Sequence, residues 1–149
     1  MGKIAFVFAG QGAQYPGMGK GLYASSPAAK GVFDACEKIR PGTLRQCFEG
    51  TKEELAQTVN TQPCLFAMEV ACAMALQEAG VQADCAAGFS LGEVAAVAFT
   101  GMLSLEKAFE LVCARAKLMQ ACGEKAQTAM AAILKLKPDQ VEAICAEFQ

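Results

Sequence analysis

The sequence predicts an α/β fold built on a parallel sheet, and three observations carry that prediction. Two short apolar runs, Lys3–Phe8 and Asp84–Phe89, read as strands buried on both faces. Stretches between and after them repeat at helical spacing, so the order is strand, loop, helices, strand, helix, helix, which is an α/β layout. At the end of the second strand stands Gly88-Phe89-Ser90-Leu91-Gly92, a pattern that joins a strand to a helix through a sharp turn.

The first strand runs into Ala9–Gly19, a loop with four glycines. Two phosphate-binding templates can be tested on it. For G-x-G-x-x-G starting at Gly10 the third glycine falls on Tyr15. For the P-loop, Gly19-Lys20 requires a glycine where Gln14 stands and a hydroxyl residue where Gly21 stands. Both fail, which leaves a structural turn or a loop that lends backbone N–H groups to an oxyanion.

Ser26-Pro27 is a helix start, serine as N-cap and proline in the first turn, and Pro41-Gly42 ends that helix after about Ile39. Thr51-Lys-Glu-Glu54 has capping-box spacing and opens a short helix. Pro63–Ala79 is apolar nearly all round, interrupted by Glu69, Gln77 and Glu78, so it belongs in the middle of the protein. Gln62 immediately precedes it and either lies near a central cleft or bonds its own loop. After the serine turn a helix is predicted over Leu91–Ala98, and Ser104 caps a second, with Glu106 in its first turn, through about Cys122. Arg115 lies on that helix, where an arginine is ordinarily solvated. Gly123–Thr128 reads as a linker, Ala129–Leu136 as a strand, and Pro138 opens a final amphipathic helix. Two parallel strands do not make a stable sheet with both faces covered, so part of the sheet is expected to come from outside this chain.

At 149 residues the chain has the size of one domain. A composition 54% hydrophobic and only 19% charged implies buried elements or a surface that awaits a partner. Residues 1 to 45 carry six basic and two acidic groups and residues 46 to 100 carry one and seven, but no basic stripe with interleaved aromatics exists, which argues against nucleic acid. The eight cysteines are scattered without a C-x-x-C pair and read as buried thiols of a reducing compartment, with no metal site and no bound cofactor expected. The N-terminal apolar run, Ile4–Phe8, is too short for a signal or a membrane span. A soluble cytoplasmic protein without membrane contact is expected.

Gly-x-Ser-x-Gly needs tiny residues two before and two after the serine, because a Cβ there would collide with the facing backbone. Ser90 on such a hydrolase-like elbow is a candidate nucleophile, with the first N–H groups of the following helix favouring negative charge beside it. One absence qualifies this. Serine enzymes commonly pass the hydroxyl proton to an imidazole, and the chain has no histidine.

With these residues in view, the sequence resembles the N-terminal half of the malonyl-CoA:acyl carrier protein transacylases, acyltransferases of fatty acid and polyketide synthesis. The resemblance rests on Phe8–Met18 after the first strand, Thr61-Gln-Pro63 before the buried helix, Gly88–Glu93, Arg115-Ala-Lys-Leu-Met119 and Ala129–Ile133, in the family's order. It implies that Ser90 forms a malonyl ester, that the backbone amides of Gln11 and Leu91 form the oxyanion hole, and that Arg115 forks onto the free malonyl carboxylate. Malonyl-CoA would be the substrate and acyl carrier protein the partner. The family lines its acyl pocket with methionines at Met119 and Met130, although core packing accounts for both equally well; Gln62 would face the same cleft. The resemblance further divides the chain into the N-terminal part of a large α/β subdomain, residues 1–125, and the first strand and helix of a small ferredoxin-like subdomain, residues 126–149.

Two departures stand out. Phe89 occupies a position where the family usually has histidine, and the family's catalytic histidine lies beyond the segment that matches Gln149. The base would then come from a C-terminal half on another polypeptide, or from a native protein longer than these 149 residues. The competing reading is a catalytically incompetent half that binds acyl-CoA or pairs with another chain. A patatin-like lipid hydrolase, which pairs serine with aspartate, is a third reading; it fits less well with the Gly10-Gln-Gly-Ala-Gln loop and gives no reason for Arg115.

Overall fold

The computed structural model describes residues 2–126 and 133–147. Strand β1 (Ala5–Phe8) is followed by five helices, α1 (Lys20–Ser25), α2 (Pro27–Ile39), α3 (Thr43–Glu49), α4 (Lys52–Ala56) and α5 (Thr58–Glu78). Then come β2 (Cys85–Gly88), α6 (Leu91–Phe99), α7 (Leu105–Ala126) and α8 (Pro138–Glu147). The two strands pair in parallel, Ala5 opposite Cys85 through Phe8 opposite Gly88. The predicted α/β order is present, in a chain that is mostly helical around a small sheet.

The helix starts follow their caps. Ser26 Oγ accepts the Ala29 amide at 3.1 Å and donates to Glu78 Oε2 at 2.5 Å, which places the α5 carboxylate at the positive end of α2. Thr51 Oγ1 accepts the Glu54 amide at 3.2 Å, and Ser104 Oγ accepts the Lys107 amide at 3.3 Å. Helix α2 buries Ala29, Val32, Phe33 and Cys36, one stripe at helical spacing.

Helix α5 occupies the centre, packed against α2, α6 and α7. It begins at Thr58, five residues before the predicted start, and carries Pro63 inside it. Side chains hold this first turn: Thr61 Oγ1 donates to the carbonyls of Leu55 (2.5 Å) and Gln57 (2.9 Å), and Asn60 Nδ2 donates to the Glu54 carbonyl at 3.0 Å. The turn is therefore tied to α4, and Gln62 is a helical residue with no exposed surface. By length and composition α5 could cross a membrane, but 61% of its most apolar window is buried inside the fold.

Other expectations are corrected. Both strands are shorter than predicted, and the sheet is covered on one face only. Phe6 and Phe8 pack on Phe99 at ring separations of 5.3 and 5.6 Å, while Val7, on the opposite face, is 76% exposed. Helix α7 continues to Ala126, so Gly123–Ala126 is helix where a linker was predicted. Of the predicted strand at 129–136, residues 129–132 lie outside the described residues, and Ile133–Leu136 form no strand. The cysteines also divide: all are free, but only Cys36, Cys47 and Cys64 are fully buried, and Cys85, Cys122 and Cys145 are exposed.

The two strands and α6 meet by backbone contact. A Cβ added to Gly88 would stand 2.1 Å from the Gly92 carbonyl oxygen, and one added to Gly92 would stand 2.2 Å from the Phe8 carbonyl oxygen and 2.6 Å from that of Ala9. Neither neighbour is a side chain that can swing aside, so the helix lies against the end of β1 only because both residues are glycine. Gly92→Ala should lower unfolding free energy by roughly 3 kcal/mol in a urea titration, the cost of forcing an extra atom into fixed backbone.

Glu69 faces the end of β1 from α5. The carboxyl is directed toward the Ala9 amide, yet neither oxygen meets hydrogen-bond geometry with any described residue, and both are buried. Burial pushes its pKa up to about 8 from 4.5. Between those values the folded state holds a proton that the unfolded chain has released, so stability falls as pH rises through this window. Glu69→Gln should flatten the decline by about 2 kcal/mol, the full shift being reduced by solvent that reaches part of the site. Paired urea titrations of parent and variant at pH 4.5, 6 and 8 read this directly.

Candidate active site

Ser90 stands between β2 and the first residue of α6, with φ 55° and ψ −103°. A residue with a Cβ holds such angles only when its surroundings impose them. Here the glycine contacts described above fix both flanks, Gly92 N donates to the Phe89 carbonyl at 3.0 Å, and Phe89 N donates to the Phe8 carbonyl at 3.1 Å. The Ser90 amide itself donates to Glu93 Oε1 at 3.2 Å. The turn presents the Ser90 side chain to solvent at the head of α6.

Arg115 reaches this serine from α7. Its Nη2 donates to Ser90 Oγ at 3.0 Å and its Nη1 to Gln62 Oε1 at 2.5 Å. Gln62 in turn donates through Nε2 to Met119 Sδ at 3.3 Å. Residues from α5, α6 and α7 thus converge in one hydrogen-bonded chain. The fork matters because it fixes the guanidinium plane: with one nitrogen on a fully buried amide, the other is held at the serine. Arg115 is half-buried and no carboxylate forms an ion pair with it among the described residues. It is a cation waiting for an anion.

The glycine-rich loop lies beside the elbow. Gly10 packs so closely on Phe89 that an added Cβ would stand 2.5 Å from the Phe89 ring and 3.1 Å from its carbonyl oxygen. Gln11 follows, its side chain anchored through Nε2 to Thr58 Oγ1 at 2.9 Å. Neither the Gln11 amide nor the Leu91 amide donates a hydrogen bond among the described residues. The first belongs to an exposed loop and the second is the first amide of a helix, which has no intrahelical acceptor.

Of the residues singled out from sequence, Ser90, Arg115, Gln62 and Met119 are brought together, and Gln11 and Leu91 lie on the two segments that meet at the elbow. Met130 lies outside the described residues. Gln62 comes to the cleft and does not bond its own loop; a buried amide at that depth needs a partner, and Arg115 is that partner. Phe89 sits at the rim, 73% exposed, with its ring on Gly10. Sequence reasoning passed over Thr58, whose only signal is its position at the unrecognised start of α5, and Glu93, whose place three residues after Ser90 has capping-box spacing.

The malonyl CoA-acyl carrier protein transacylase of Bacillus subtilis is 40% identical over 145 residues, covering 97% of this chain and 46% of that protein. The crystal structure of the Clostridium perfringens transacylase of the same name superposes with a TM-score of 0.80 at 33% identity, over 98% of this chain and 46% of that one. A malonyl-transacylase solved in complex with a type II polyketide synthase acyl-carrier protein superposes with a TM-score of 0.74 at 35% identity, over 80% of this chain and 40% of that one. The chain thus spans about half the length of the relatives it matches. The sequence profile described as the acyl transferase domain matches residues 5–147, and the chain belongs to that family.

Proposed function

We propose that this chain carries the nucleophile half of a malonyl transferase, in which Ser90 takes malonyl from coenzyme A and passes it to the phosphopantetheine thiol of acyl carrier protein. The observation that carries the reading is the Arg115 fork, one nitrogen on Gln62 and the other on Ser90. A guanidinium held at the serine suits an acyl group that ends in a carboxylate, and a malonyl ester on Ser90 places its carboxylate two carbons from the ester oxygen.

In the first step Ser90 Oγ attacks the thioester carbonyl while a base removes its proton. The oxygen that gains charge faces the Gln11 and Leu91 amides, and coenzyme A leaves as its thiolate and takes up a proton. In the second step the acyl carrier thiol attacks the malonyl ester through the same oxyanion and Ser90 is restored. A missing amide donor typically costs on the order of 3 kcal/mol in such a barrier. The base is not a histidine of residues 1–149, which contain none.

Incubation of the purified chain with radiolabelled malonyl-CoA, followed by acid quench, tests the nucleophile. Label should appear in the parent, disappear in Ser90→Ala, and accumulate faster when the part of the Bacillus subtilis relative that this chain does not match is co-expressed. Equal label in parent and Ser90→Ala sinks the assignment.

Arg115→Ala tests the substrate. Loss of a charge-assisted pair should reduce the preference for malonyl-CoA over acetyl-CoA by about 100-fold. Unchanged selectivity removes malonyl from the reading and leaves a serine acyltransferase of other specificity.

A further inference from the structure

Residues 10–16 leave β1 as a loop in which Gln11, Gly12 and Ala13 are exposed. Two constraints on this loop are local. Gly10 packs on the Phe89 ring, and the Gly12 amide, at φ 119°, donates to Gln14 Oε1 at 2.8 Å. A glycine on either side of Gln11 leaves the backbone there with little conformational preference of its own. The third constraint comes from outside the loop. Gln11 Nε2 donates to Thr58 Oγ1 at 2.9 Å. Among the described residues this is the one hydrogen bond by which residues 10–16 reach another element.

Thr58 is itself firmly placed. It is half-buried in the first turn of α5, which Thr61 and Asn60 tie to the end of α4 through the carbonyls of Leu55 and Glu54. A hydroxyl at a helix start ordinarily accepts from that helix's own free amides. This one serves the loop instead, and Oγ1 forms no other hydrogen bond among the described residues.

We infer that Thr58 is a positioning residue for the oxyanion donor, one that fixes the direction of the Gln11 amide by holding the Gln11 side chain. The inference rests on the proposed function, which gives that amide its role. An amide donor stabilises a developing oxyanion only when it stands about 2.7–3.1 Å from it, so a loop that pivots about glycines gains from an anchor on a fixed helix. Thr58 bonds neither Ser90 nor Arg115 and acts through Gln11. Loss of the bond therefore slows acylation of Ser90 without altering the choice of acyl group.

Thr58→Val removes the acceptor with little change of shape, Thr58→Ser restores a hydroxyl, and Gln11→Met removes the donor from the other end while keeping the backbone amide. In the purified protein, Thr58→Val and Gln11→Met should each lower the rate of Ser90 labelling at saturating malonyl-CoA about tenfold, a fraction of the roughly 100-fold that loss of an oxyanion donor costs. The malonyl-CoA concentration for half-maximal rate and the ratio of malonyl to acetyl labelling should stay unchanged. Thr58→Ser should keep most of the parent rate, and the double variant should be no slower than either single one. Nitrogen-15 relaxation without substrate reads the loop itself: the Gln11 amide should have an order parameter of about 0.85 in the parent and below about 0.6 in Thr58→Val and Gln11→Met. Thermal melts show whether Thr58→Val folds; if it does not, Gln11→Met decides. An unlabelled parent removes the transferase reading, and the relaxation data then decide whether Thr58 holds the Gln11 amide. Equal order at Gln11 in parent and variants, a raised half-saturation concentration, or additive losses in the double variant overturns the inference.

Discussion

The close approach of α6 to the end of β1 is the contact on which the rest of the site depends. With hydrogen atoms alone at Gly88 and Gly92, the head of the helix settles onto the carbonyls of Phe8 and Ala9. That single approach sets Ser90 in its unfavourable backbone angles, leaves the Leu91 amide without a partner among the described residues, and puts the elbow against the loop that carries Gln11. Side chains tune this arrangement, but the backbones create it. The strain at Ser90 is maintained by packing on both flanks and not by the serine itself.

Helix α5 is the second organising element, and it serves the site from behind. Its first turn is pinned to α4 by Thr61 and Asn60, which fixes Thr58 under Gln11 and Gln62 under Arg115. One helical turn thus supports both the loop on one side of the serine and the guanidinium on the other. A polar amide with no exposed surface in the middle of an apolar helix is costly unless bonded. Its bonds here go to the arginine and to a methionine sulfur, so burial and orientation of Arg115 are the same fact.

How much of this was legible in the sequence differs by the kind of interaction. The elbow was legible because its steric demand falls on two glycines at fixed spacing, and the caps at Ser26, Thr51 and Ser104 because each bonds three residues ahead. The bond between Gln62 and Arg115 was not legible, since no local rule links residues 53 apart and the resemblance spoke only of an acyl carboxylate for Arg115. The start of α5 was misplaced because Pro63 reads as a helix opener, while the bonds that extend the helix to Thr58 come from a neighbouring element. The sheet was read as covered on both faces because a continuous apolar run does not say which side of a strand is filled. Val7 lies on the open side, and Glu69 looked like a mere interruption of an apolar helix until its height beside Ala9 was known.

The chemistry around Ser90 then follows from what each neighbour can and cannot do with a proton. Arg115 donates to the hydroxyl, and a guanidinium offers donors but no acceptor, so it does not take the serine proton. Gln62 is bonded at both ends and has no acid–base function. Glu93 is the one carboxylate bonded to this residue among the described side chains, and it holds the backbone amide, not the hydroxyl. For the proposed acyl transfer these residues offer a hydroxyl on a rigid turn, amides without a partner among the described residues, and a cation bonded to the serine. None of these side chains accepts the hydroxyl proton, so in that proposal the base lies on the exposed side of Ser90.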